Sequence, residues 1–172
     1  MASCRPIGIF DSGVGGLTVA NAISLLLPNE TIFYIGDTAR IPYGNKSKDD
    51  IEKFSLEMTK FLLDKDCKAI VIACNTASAY ALEAVRNTYP DIPVIAMEPA
   101  VKPAIEHSKT GTIGVLATLG TLKSDRYSHL KNKFGQGIHI LENPCLGLVD
   151  NIEAGKWNDP ETILLLETIL KP

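Results

Sequence analysis

The stretch Ala69-Ile-Val-Ile-Ala-Cys-Asn-Thr-Ala-Ser78 decides how this chain folds. Five small or branched apolar residues run into a cysteine, and the polar Asn75, Thr76 and Ser78 follow. The apolar run shows no alternation, as expected of a strand buried on both faces of a parallel sheet. Thr76 and Ser78 are good capping residues, so Ala77–Arg86 is predicted to be helical. Cys74 then lies at the carboxyl end of a central strand, just before a helix N-terminus. Ligand sites of open α/β sheets occur there. Helix-end amides and the helix dipole favour a thiolate over a thiol. Most free cysteines are small buried core residues. Here Asn75 and Thr76 are polar where a core needs apolar side chains, which favours a functional reading of Cys74.

The strand, polar turn and helix of this stretch recur on both sides of it. Ile7–Phe10 is a short apolar strand, Asp11-Ser-Gly-Val-Gly-Gly16 a glycine-rich turn, and Leu17–Leu27 a helix ended by Pro28. Amides of such a turn can bind a phosphate or a carboxylate. The pattern is not GxGxxG and no Lys-Ser/Thr follows, so it is a weak nucleotide signal. Asp11 and Ser12 serve equally well as turn and cap residues. They nevertheless stand at a strand's carboxyl end, as Cys74 does, so the two could face one cleft.

Thr31–Ile35 is predicted as the second strand and Gly36–Lys46 as a loop centred on Pro42-Tyr43-Gly44. Turn geometry alone would explain Pro42 and Gly44. The phenol of Tyr43 could reach a ligand. Ser47–Lys65 reads as an amphipathic helix whose apolar stripe packs the core. Ile92–Ala96 is a fourth strand in a stretch punctuated by Pro90, Pro93, Pro99 and Pro103, the best candidate for a domain boundary. The expected domains are 1–97 and 98–172, with Glu98 capping an Ala100–His107 helix. A second α/β unit follows. It has a Thr112–Ala117 strand, a Thr118-Leu-Gly-Thr121 turn, a Leu122–Phe134 helix and a Gly137–Leu141 strand. A Leu146–Ala154 helix carries Glu153, and Pro160–Leu170 is a helix with Pro in its first turn. The threonines cap a helix or hydrogen-bond a ligand carboxylate, and capping is the commoner role. A β-α pair repeated about six times makes parallel sheets covered by helices.

Bulk composition narrows the classes. With 17 basic and 20 acidic residues the chain is weakly acidic, and its basic residues are dispersed, so no nucleic-acid footprint is expected. The apolar runs are strand-length, so no membrane span is expected. Met-Ala-Ser-Cys-Arg-Pro lacks a signal peptide's apolar stretch, and a cytoplasmic location is the default. Cys4, Cys67, Cys74 and Cys145 show no CxxC pairing and no metal-ligand spacing with the histidines, so no metal site is expected.

Four motifs, Asp11-Ser-Gly-Val-Gly-Gly16, Pro42-Tyr43-Gly44, Ala73-Cys-Asn-Thr-Ala-Ser78 and Thr118-Leu-Gly-Thr121, occur in an order and spacing that resembles glutamate racemases. The likeness covers essentially the whole chain, and the first and third motifs together are quite specific. The resemblance implies two three-layer α/β domains with mostly parallel sheets, flavodoxin-like, and an active site between them. It implies a cofactor-independent, two-base interconversion of L- and D-glutamate that supplies D-glutamate for cell-wall peptidoglycan. By match of motif Cys74 is one base. Asn75 and Thr76 bind the substrate's carboxylate or amino group, and Asp11 and Ser12 hold the ammonium side. Tyr43 and Gly44 close over the substrate, and Thr118 and Thr121 bind from the second domain. Glu153 is a further candidate, with Val149-Asp150 where the family usually has Val-Pro. Glutamate is the implied partner, and a homodimer is open because the family includes dimers.

The family's second cysteine lies in a Cys-Thr-His motif, which this sequence lacks. The expectation is an N-terminal portion of a racemase, inactive as a racemase by itself and marginally stable. An aspartate or other amino-acid racemase of the same superfamily is the near alternative. A non-catalytic small-anion-binding α/β module is the alternative from a different class. A cysteine hydrolase would need a histidine partner, and His107, His129 and His139 all lie outside the strand-end motifs.

Overall fold

A computed structural model describes residues 4–171. The chain divides into two compact units, Met1–Glu98 and Pro99–Pro172.

In the first unit, apolar strand-length runs alternate with helices. The elements are β1 (Ile7–Asp11), α1 (Leu17–Leu26), β2 (Ile32–Gly36), a 3₁₀ turn (Tyr43–Asn45), α2 (Lys48–Asp64), β3 (Ala69–Ile72), α3 (Asn75–Thr88) and β4 (Val94–Ala96). All strand pairs are parallel and the order is β2-β1-β3-β4. Ile7 pairs with both Ile32 and Ala69, and Ile70 pairs with Val94. Strand pleating sends alternate residues to opposite faces. Phe10, Ile70 and Ile72 therefore pack with Ile51, Met58 and Leu62 of α2 and Ala77, Ala81 and Val85 of α3. Ile9, Val71 and Ala73 pack on the other face with Val19, Ala20 and Ile23 of α1.

The chain leaves β1 toward β2 but leaves β3 toward β4. The strand order therefore reverses between β1 and β3, and a crevice is expected at their carboxyl ends. Two glycines are required there for space. A Cβ on Gly16 would stand 2.6 Å from Asp11 Cβ and 2.9 Å from Ala73 Cβ. One on Gly36 would stand 2.7 Å from the Gly13 carbonyl oxygen.

The second unit holds α4 (Val101–His107), β5 (Thr112–Leu116), α5 (Leu119–Lys123), α6 (Asp125–Phe134), β6 (His139–Asn143), α7 (Leu148–Glu153) and α8 (Pro160–Leu170). β5 and β6 pair in parallel, with Thr112 opposite His139 and Leu116 opposite Asn143. Val101, Ile113 and Tyr127 form the buried core, joined by Leu122, Ile138 and Ile140. The Tyr127 hydroxyl donates to Glu142 Oε1 at 2.9 Å, and Lys131 pairs with the same oxygen at 2.6 Å.

Two local expectations are corrected. The predicted Leu122–Phe134 helix is two helices, because the Ser124 hydroxyl accepts from Tyr127 N at 3.1 Å and donates to the Thr121 carbonyl at 2.7 Å. That capping ends one helix and starts the next. The N-cap of α4 is Ala100, two residues beyond Glu98, and it makes no side-chain cap bond. The helix after β3 starts at Asn75, two residues earlier than predicted, and its N-cap is Cys74. Thr76 and Ser78 lie inside its first turn. None of the described helices is long and apolar enough to cross a membrane.

Candidate active site

β3 delivers Cys74 to the carboxyl edge of the sheet, and α3 begins at the next residue. As N-cap, the Cys74 sulfur accepts the Ala77 amide at 3.4 Å. A thiolate is the better acceptor in that place, because first-turn amides lack intrahelical partners and the helix dipole is positive there. β1 ends beside it. The Ser12 hydroxyl lies 3.4 Å from the Cys74 sulfur, although the two residues are 62 apart in sequence. Asp11 faces the α1 side, where Oδ2 accepts the Gly16 amide at 2.8 Å. Asp11 and Cys74 are both buried, at 6% and 7% exposure.

Burial pushes the Cys74 thiol up from its ordinary value, and the nearby Asp11 charge pushes the same way. Hydrogen bonds from Ser12 and the Ala77 amide pull it down without reversing the direction. Helix-end stabilisation is therefore present but outweighed, since desolvation disfavours the charged thiolate. A cation beside Asp11 would offset that charge and favour the thiolate.

The other predicted residues fall as follows. Asn75 is exposed at the start of α3, and Thr76 is buried beside it. Tyr43 is buried with its hydroxyl donating to Asp37 Oδ2 at 2.5 Å, so the phenol is committed to a protein partner. Burial first, and that hydrogen bond second, push the Tyr43 phenol up. Gly44 follows in the 3₁₀ turn, half-buried. The first unit thus gathers Asp11, Ser12 and Cys74. Thr118 and Thr121 belong to the second unit, at the carboxyl end of β5. Thr118 caps α5 by accepting the Thr121 amide at 3.3 Å, and the two hydroxyls lie 3.1 Å apart. Glu153 ends α7 in the same unit, half-buried.

Two residues of this site escaped the sequence reading. Ser78 donates to the Ile72 carbonyl at 3.1 Å and accepts the Met97 amide at 3.0 Å, bracing the strand end that presents Cys74. Asp37 follows β2 as Ser12 follows β1, and a polar residue at each strand end was the available signal. Among the described residues no group of three or more His, Cys, Asp and Glu could hold a metal ion.

The Asp/Glu/Hydantoin racemase family profile matches residues 17–171. A glutamate racemase of Pseudomonas paraeruginosa is 47% identical over 171 residues, which are 99% of this chain and 64% of that protein. A glutamate racemase from Francisella tularensis, solved in complex with D-glutamate, superposes with a TM-score of 0.81 at 42% identity, over 97% of this chain and 62% of that one. The Escherichia coli glutamate racemase, solved with L-glutamate and the activator UDP-MurNAc-ala, gives a TM-score of 0.87 at 34% identity, over 96% and 63%. The chain spans less than two thirds of the length of these relatives.

Proposed function

Because the chain belongs to the Asp/Glu/Hydantoin racemase family, we propose that it contributes the Cys74 half of a cofactor-independent glutamate racemase. The observation that carries this reading is the Cys74 sulfur at the point where the strand order reverses, with the Ser12 hydroxyl and the Ala77 amide on it. Sulfur in that position can take a proton from the Cα of a bound amino acid.

The buried Asp11 sets the condition for the step. Its charge raises the thiol while the site is without a cation. A substrate ammonium beside Asp11 offsets that charge and releases the thiolate where it is needed. Thiolate formation is then coupled to substrate binding. Exposed Asn75 and the amides at the helix start bind the substrate carboxylate. Their dipoles stabilise the negative charge that develops at Cα when the proton leaves. Cys74 becomes the thiol and Cα the carbanion. A proton delivered to the opposite face completes inversion, and a second cysteine is the family's device for it. No Cys-Thr-His tripeptide occurs in these 172 residues. We therefore assign to them proton abstraction and return on one face, and no useful racemisation rate. Within the second unit, Thr118, Thr121 and Glu153 are the candidate substrate-binding residues. In the cell, the racemase to which these residues contribute would supply D-glutamate for peptidoglycan in the cytoplasm.

Incubation in D₂O with each enantiomer of glutamate and aspartate tests this, with loss of the α-proton signal followed by NMR. Exchange with one glutamate enantiomer, abolished in Cys74→Ser, is the expected result. Exchange confined to aspartate would shift the substrate. Absence of exchange in the presence of bound glutamate would replace the enzyme with an anion-binding module.

A further inference from the structure

Among the described residues the buried carboxylates are Asp11 and Asp37. The proton transfer at Cys74 does not involve Asp37. Asp37 follows β2, and its amide donates to the Asp11 carbonyl at 3.0 Å, so its backbone is tied to the strand that carries Asp11. Its Oδ2 accepts the Tyr43 hydroxyl at 2.5 Å and pairs with Arg40 Nε at 2.6 Å. Arg40 reaches on to Glu57 of α2 at 2.6 Å, and its guanidinium lies 4.1 Å over the Phe54 ring. Tyr43 packs against the same ring, with centroids 5.8 Å apart. The 3₁₀ turn that Tyr43 opens packs on α3, the helix capped by Cys74.

We propose that Asp37 is a positioning residue, whose carboxylate clamps the Tyr43–Asn45 turn beside Cys74. A buried carboxylate needs partners that offset its desolvation. Both partners of Asp37 come from the loop it holds, so the loop closes on its own anion. Arg40 carries the clamp to α2, and Tyr43 carries it to the neighbourhood of α3. No proton moves through Asp37. Its purpose in catalysis rests on the function proposed above, while its mechanical role rests on these contacts alone.

The test is iodoacetamide labelling of the 172-residue chain without ligand, with Cys74 and Cys67 quantified separately by peptide mass spectrometry. Cys67 is fully buried in the same core and reports general loosening. Tyr43→Phe removes one hydroxyl, and Asp37→Asn removes the charge. Each is expected to raise Cys74 labelling relative to Cys67 by about tenfold, the factor that one charge-assisted hydrogen bond supports. An equal rise at both cysteines, or no rise at either, overturns the clamp. Should Asp37→Asn fail to fold, Tyr43→Phe decides alone. Protection of wild-type Cys74 by glutamate is scored in a parallel arm. Its absence would sink the proposed function and leave the labelling ratio intact as a measure of the clamp.

Discussion

Cys74 and Cys145 occupy the same place in two different sheets. Each is a buried thiol just beyond the carboxyl end of a parallel strand, at 7% and 6% exposure. Burial pushes both thiols up. Their surroundings differ in one bond. The Cys74 sulfur accepts, from the Ala77 amide, and caps a 14-residue helix. The Cys145 sulfur donates to the Asn143 carbonyl at 3.4 Å and also accepts the Ala117 amide, which pulls its thiol down without reversing the shift. Its backbone is left-handed, at φ 47, and α7 starts three residues later behind Gly147. Losing the proton would strengthen the amide bond on each sulfur, but at Cys145 it would also abolish the bond donated to Asn143. Burial, strand-end position and an amide on the sulfur are shared; what separates the two thiols is the bond to Asn143 that only protonated Cys145 can donate.

The largest expected effect separates the two cysteines directly. Cys74→Ser should lower α-proton exchange by about 10²–10⁴-fold, the range for a removed general base. Cys145→Ser keeps a donor in place and should leave exchange within about twofold of wild type. Comparable losses in the NMR assay would break the distinction.

Next in size is a pair of glycine substitutions. Gly16→Ala drives a methyl into Asp11 and Ala73 and should destabilise the chain by about 1–3 kcal/mol. Gly114 lies on β5 with nothing within 4 Å of a built Cβ, so Gly114→Ala should be neutral or slightly stabilising. Urea midpoints measure both, and similar shifts would mean that the Asp11 turn is looser than its geometry implies. Ser124→Ala removes the cap between α5 and α6 and should cost about 1 kcal/mol in the same experiment.

Alkaline pH should weaken both units. Cys74, Cys145, Tyr43 and Tyr127 all hold their protons more tightly folded than unfolded. That stabilisation is complete below the ordinary values of 9.0 for thiol and 10.0 for phenol. It is lost as pH rises through the folded values. Thermal midpoints should therefore decline steadily above about pH 9, and a midpoint that climbs across that range would refute the assignment.

The smallest effect is the sharpest. Asp11→Asn removes a charge that raises Cys74, so the pH midpoint for Cys74 alkylation should move down while that of Cys145 stays. A midpoint that stays put for Cys74 would remove the coupling between substrate cation and thiolate.

Much of this was legible in the chain itself. Apolar runs bounded by Gly, Pro and capping residues located the six strands and most helices within a residue or two, and Pro160 marked the start of α8. The strand-end positions of Asp11 and Cys74 followed, because strand and helix periodicity depend on near neighbours in sequence. Tertiary structure alone decided the rest. It made Cys74 its own helix cap, set Ser12 on its sulfur across 62 residues, split a helix at Ser124 and turned the Tyr43 phenol onto Asp37. It also reversed the expected shift of the thiol, through desolvation and the Asp11 charge. Backbone form is encoded locally, whereas hydrogen-bond partners and desolvation depend on which distant residues the packed core brings together.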